Sequence, residues 1–67
     1  MGVEHSYKAA HSRTTFIMRV EGGKPYLLAE GECSTDRKVI AECDKVRGGN
    51  YDVSTVDWLA RSLANEF

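Results

Sequence analysis

The stretch Thr14-Thr15-Phe16-Ile17-Met18-Arg19-Val20-Glu21-Gly22-Gly23-Lys24-Pro25-Tyr26-Leu27-Leu28-Ala29-Glu30 decides how the chain folds. Phe16, Met18 and Val20 alternate with Thr15, Ile17, Arg19 and Glu21, and β-branched and aromatic residues are dense. That is strand character over 14–21. Gly22-Gly23 supplies two residues free to take positive φ, which a two-residue hairpin turn requires. Reversal at the pair sets Glu21 against Lys24, Arg19 against Tyr26, Met18 against Leu27 and Phe16 against Ala29. These are an ion pair, a cation–π contact and two apolar pairs, each on a consistent face.

Outward from this hairpin, the second strand runs from Pro25 to Cys33, and Ser34-Thr35-Asp36 reads as a turn whose side chains cap their own backbone. A third strand is expected from Arg37 or Lys38 to Val46. A three-residue loop would set Glu32 against Lys38 and Ala29 against Ala41, avoiding the like-charge pair of Glu30 with Glu42 that a longer loop makes. Arg47 to Asp52, with two glycines and Asn50, is a loop. The remainder is a helix over 54–67. Ser54 takes the N-cap, Asp57 closes a capping box, and Val56, Leu59, Ala60, Leu63 and Phe67 form one apolar stripe. Residues 1–12 stay open between an irregular segment, a short helical face of Val3, Tyr7 and Ala10, and an extension of strand one from Tyr7 to Arg13. The expected fold is α+β: a three-stranded antiparallel β-meander over 14–46, with one C-terminal α-helix packed on one face, in a single domain 1–67.

Composition bounds the function. The chain has 67 residues, 42% of them apolar, with nine basic side chains against ten acidic and a net charge of −1. That is one domain, too apolar and too evenly charged for disorder. No apolar run approaches the length of a bilayer span, so no membrane partner is expected. No basic segment leads into an apolar one at the N-terminus, so no secretory leader is expected, although Gly2 with Ser6 formally matches a myristoylation pattern. Two cysteines are too few for a disulfide scaffold, and the expected location is the cytoplasm with both thiols reduced. A domain of this size hides only about 60% of its unfolded surface, so a partner subunit would add needed burial, and a homodimer is expected.

The chemistry-bearing residues are sparse. Cys33, Cys43, His5 and His11 are the only soft ligands, and their spacings lack the close pairs of a zinc site, so neither metal nor cofactor is expected. Both thiols fall on the inner face, where they act as small hydrophobes. Ser6, Ser12, Thr14 and Thr15 near the two histidines lack an orienting third group, and no catalytic residue is assigned; the chain is not expected to be an enzyme. Both glycine pairs are turn residues rather than phosphate loops.

The inner face would hold Phe16, Met18, Val20, Leu27, Ala29, Cys33, Val39, Ala41 and Cys43. The displayed face would centre on Ile17, Tyr26, Leu28 and Ile40, with Glu30 and Glu42 among the acids around them and Val46 at its end. An apolar centre with a polar rim is the anatomy of a protein interface, and the acids suit a basic partner surface. Trp58 lies off the helix stripe. It serves either as a binding anchor or as half of a hydrophobic staple with Val53. Nucleic-acid binding is the alternative, through Lys8 and Arg13 near the N-terminus and Lys45 and Arg47 before the helix.

Lys38-Val39-Ile40-Ala41-Glu42-Cys43, followed by Asp52 and then Asp57-Trp58-Leu59-Ala60-Arg61-Ser62-Leu63-Ala64-Asn65, resembles the ending of small phage-encoded accessory proteins. In those, a V-I-A strand leads through a polar loop to a helix. Size, charge balance and the lack of a catalytic signature are also similar to anti-CRISPR and related counter-defence proteins. That resemblance, over residues 37–67, implies a stoichiometric inhibitor of a host protein or protein–RNA complex. It transfers no functional residue, because the group shares no motif.

Overall fold

The computed structural model describes residues 3–67. Gly2 of the myristoylation pattern lies outside the described residues. The fold is α+β: strands β1 (Val3–Lys8), β2 (Thr14–Glu21) and β3 (Lys24–Gly31), a 3-10 turn at Glu32–Thr35, then helices α1 (Arg37–Gly48) and α2 (Val53–Glu66). The strands form one antiparallel sheet in the order β1-β2-β3, with β2 in the centre.

The β2–β3 hairpin has the register expected from its turn: Glu21 faces Lys24, Arg19 faces Tyr26, Met18 faces Leu27 and Phe16 faces Ala29. Gly22 and Gly23 take φ of 60° and 78°, the left-handed pair that matches the twist of a two-residue hairpin. Arg19 meets Tyr26 differently from expectation. Its guanidinium donates to the Tyr26 hydroxyl at 3.5 Å rather than lying over the ring.

The third strand of the meander is the N-terminal segment, and the segment expected to be that strand is helix α1. Asp36 caps α1, its carboxylate accepting from the Lys38 amide at 2.9 Å. Val39, Cys43 and Val46 then recur at i, i+4 and i+7, so a helix gathers all three on the core side. Arg37, Lys38, Ala41, Glu42, Lys45 and Arg47 are good helix formers, and Lys45 and Arg47 sit where the negative end of the helix dipole favours cations. The expected pairs of Glu32 with Lys38 and Ala29 with Ala41 therefore do not form. Val46, expected outside, is fully buried, and Ala41, expected inside, is exposed. Residues 3–8, for which the sequence leaves three readings, form a strand and pair with β2 from Val3 opposite Val20 to Lys8 opposite Thr15.

Helix α2 starts earlier than the capping box implies. Asp52 is the N-cap and accepts from the Thr55 amide at 3.0 Å, so Ser54 lies inside the first turn. The cap places Tyr51 at N′ and Val56 at N4, and both pack into the core. Val53 and Trp58, the pair expected to form the staple, are both exposed.

Both helices lie on one side of the sheet, α1 along β3 and α2 along β2 and β1. Phe16, Met18 and Leu27 from the sheet meet Val39 and Val46 of α1 and Val56, Ala60, Leu63 and Ala64 of α2 in one core. Among the described residues Thr14 is the one buried polar side chain, and it is satisfied: its hydroxyl oxygen accepts from the Cys33 amide at 2.9 Å and lies 3.2 Å from the Ser12 hydroxyl. That hub ties the start of β2 to the 3-10 turn. Among the described residues no element lies on the other side of the sheet.

Candidate functional site

The uncovered side of the sheet follows from the two registers. Strand alternation puts Glu4, Ser6 and Lys8 of β1, Thr15, Ile17, Arg19 and Glu21 of β2, and Lys24, Tyr26, Leu28 and Glu30 of β3 on it. The row across its middle is Ser6, Ile17 and Leu28. Ile17 is only 7% exposed although no helix covers it, because it stands on the central strand with neighbours on both sides. Leu28 and Tyr26 beside it are half-buried. The face thus presents a filled apolar centre rather than a ridge of protruding side chains.

One end of this face is a linked polar network. Arg19 donates to Glu4 Oε1 from Nε at 2.8 Å and from Nη2 at 2.6 Å, and the Tyr26 hydroxyl donates to Glu21 Oε2 at 2.9 Å. Tyr26 first, and Glu4 second, hold the Arg19 guanidinium above its already high ordinary range. These bonds order four side chains from all three strands. Past the hairpin end, Glu21, Lys24, Pro25, Tyr26 and Arg47 line an open cleft of about 380 Å³. The sequence offers no sign of this junction, because Arg47 reaches it only once α1 lies along β3.

The residues expected to form one interface divide between surfaces. Ile17, Tyr26, Leu28 and Glu30 share the uncovered face as expected. Ile40 and Glu42 do not, because they belong to α1; Ile40 is 44% exposed there and Glu42 is half-buried. Trp58 sits on α2 about 200° from Val56, pointing away from the sheet, and is 64% exposed. It lines an open cleft with Arg61, Ser62 and Asn65 of the same helix.

The basic residues of the alternative reading also separate. Lys8 and Arg13 line a shallow polar cleft with Ser12, Thr14 and Thr15 where β2 begins. Arg47 stands beside the hairpin where β2 ends. An eight-residue strand, roughly 26 Å at about 3.3 Å per residue, lies between them.

A third cluster joins β1 to α2 on the helix side. The Tyr7 hydroxyl donates to Asp57 Oδ1, His5 Nδ1 lies 3.1 Å from the same oxygen, and the Arg61 guanidinium stands 6.0 Å from the Tyr7 ring centre. The Tyr7 hydrogen bond holds the Asp57 carboxyl below its usual range, and the same bond pushes the Tyr7 phenol up. Asp57, expected to close a capping box, instead anchors the edge strand. Cys33 and Cys43 pack against the core, and burial, with Asp44 second, pushes the Cys43 thiol up, away from nucleophilic use. Among the described residues no three His, Cys, Asp or Glu side chains converge to hold a metal ion. No helix among the described residues is long and apolar enough to cross a membrane.

No protein-family model matches the chain, and neither does any curated protein or solved structure.

Proposed function

We propose that this protein acts without catalysis, by binding another protein on the uncovered face of its sheet. The observation that carries the reading is the one-sided placement of the helices. It leaves Ile17, Leu28 and Tyr26 as a flat apolar centre beside a polar rim already held in place by Arg19. A preformed surface of this kind loses little side-chain entropy on binding. The rim is charge-balanced, with Glu4, Glu21 and Glu30 against Lys8, Arg19 and Lys24, so the excess of acids expected around the apolar centre is absent and the charges serve orientation rather than selection of a basic partner.

In its finer form the reading is a phage-type inhibitor that blocks a host protein or protein–RNA complex in the bacterial cytoplasm, in the manner of anti-CRISPR proteins. Size and charge balance support this form. The V-I-A strand of the resemblance does not, because Val39, Ile40 and Ala41 lie in α1.

The test is capture from bacterial lysate, identification of the captured protein, and titration of the purified pair. Leu28→Glu places a charge at the apolar centre and should abolish binding while the folded spectrum stays unchanged. A blocker also titrates its target to a stoichiometric endpoint. Full effect at a small fraction of the target concentration would contradict binding as the mode of action. Affinity that falls steeply with salt, for DNA or RNA alone, would favour the nucleic-acid reading instead.

A further inference from the structure

The two edges of the sheet differ, and the difference points to a second copy of the chain. The Ala9 amide donates to the Thr14 carbonyl at 2.8 Å, in register with the β1–β2 ladder. Antiparallel alternation therefore turns the N–H and C=O of Val3, His5 and Tyr7 toward β2, and those of Glu4, Ser6 and Lys8 outward. Among the described residues no backbone group meets them. At the other edge, the Glu32 amide donates to the Arg13 carbonyl at 3.0 Å, so Pro25, Leu27, Ala29 and Gly31 are the outward-turned residues of β3. Pro25 has no N–H to offer, and Gly31 leaves the strand conformation with φ of 107°. Proline on an edge blocks pairing with another chain. β1 carries no proline, no glycine and no positive φ, and it is exposed at every residue but the half-buried Tyr7.

We propose that β1 pairs antiparallel with β1 of a second copy about a two-fold axis at Ser6, joining two sheets into one of six strands. The side-chain order of β1 is self-complementary in that register. With Ser6 facing the partner's Ser6, Glu4 lies opposite the partner's Lys8, and Lys8 lies opposite the partner's Glu4. A shift of two residues in either direction loses both charge pairs. The outward N–H and C=O groups of Glu4, Ser6 and Lys8 are the ones this register brings together.

The surrounding rows support the same arrangement. Glu4 already stands beside Arg19, so the partner's Lys8 would leave it between two cations. The apolar row of Leu28 and Ile17 would run through the two serines into its own copy. The contact is isologous and closes on itself, while the blunted β3 edges end the six-stranded sheet. The backbone edge makes the pairing, and although Glu4 and Lys8 also lie on the uncovered face, Leu28 is on the far strand β3, so Leu28→Glu should leave the dimer intact.

Sedimentation over a concentration series, with amide hydrogen exchange on the same samples, tests the pairing. The wild-type chain should dimerise, with slowed exchange at the amides of Glu4, Ser6 and Lys8. Lys8→Glu and Glu4→Lys each set like charges opposite one another twice, and each should raise the dimer dissociation constant at least about tenfold. An equal mixture of the two variants pairs unlike charges again and should recover the dimer. A wild-type chain that stays monomeric, or that dimerises with those three amides exchanging freely, would overturn the proposal without reference to any variant. So would variants that dimerise as tightly as wild type, or a monomer that protects these amides only when an added extended peptide is present.

Discussion

Gly31 is the residue on which the end of the sheet turns. Its φ of 107° with ψ of −149° is a conformation that side chains disfavour, and a Cβ there would run into the Arg13 carbonyl oxygen. Gly31→Ala should therefore cost at least about 2 kcal/mol in chemical denaturation, whereas Gly48→Ala, which meets open space in a helix, should be neutral or stabilising. Thr14 is comparable: replacing it with Val leaves the Cys33 amide without its acceptor, at a cost of about 1–3 kcal/mol. Neither role could be read in the sequence, since Gly31 sits in an ordinary alternating run and its neighbour in space is eighteen positions away, 31 against 13.

Asp57 makes a prediction about acid. Its carboxyl titrates below the ordinary 3.8 because Tyr7, and then His5, hydrogen-bond the charged form. A depressed folded-state pKa means that the unfolded chain binds the proton first, so stability is present above about pH 4 and falls as pH drops through the folded value. Asp52 shifts in the same direction through its bond to Thr55. Asp57→Asn should flatten the acid limb of a stability profile. If the variant follows the wild-type curve below pH 4, the cluster contributes nothing to folding. Tyr7 acts at the opposite end: its raised pKa means stability that is present below pH 10 and lost as pH rises through the folded value.

At the scale of elements, α1 carries the sharpest test. Val46 is fully buried and Ala41 exposed, the reverse of what a strand over 38–46 would require. Val46→Ala should cost about 2 kcal/mol, and Ala41→Glu should leave the melting temperature near wild type. The opposite result would restore the strand. The same segment shows what was legible beforehand. The β2–β3 hairpin and its faces follow from Gly22-Gly23 and strict alternation, because turn and period agree. In 37–48 two periods compete: Val39, Ala41 and Cys43 alternate, while Val39, Cys43 and Val46 recur on a helical face. The tie is broken by the Asp36 cap and by a run of charged helix formers. Strand β1 was obscured for a related reason, since an edge strand exposed on both sides has no apolar period to find. The candidate site inherits both limits: Ile17, Tyr26, Leu28 and Glu30 were legible with the hairpin, and Ile40 and Glu42 were misplaced with α1.

At the scale of the molecule, placing both helices on one side of the sheet produces two opposed surfaces, the uncovered sheet face and the outer side of the helix layer. Binding is proposed for the first, although Trp58, the most exposed large apolar side chain among the described residues, stands on the second. The most direct test is therefore a titration of the captured partner against Leu28→Glu and Trp58→Ala, side by side with wild type. Binding on the uncovered face requires that Leu28→Glu lose at least tenfold in affinity (about 1.4 kcal/mol) while Trp58→Ala binds as wild type. Full loss with Trp58→Ala and none with Leu28→Glu would contradict it.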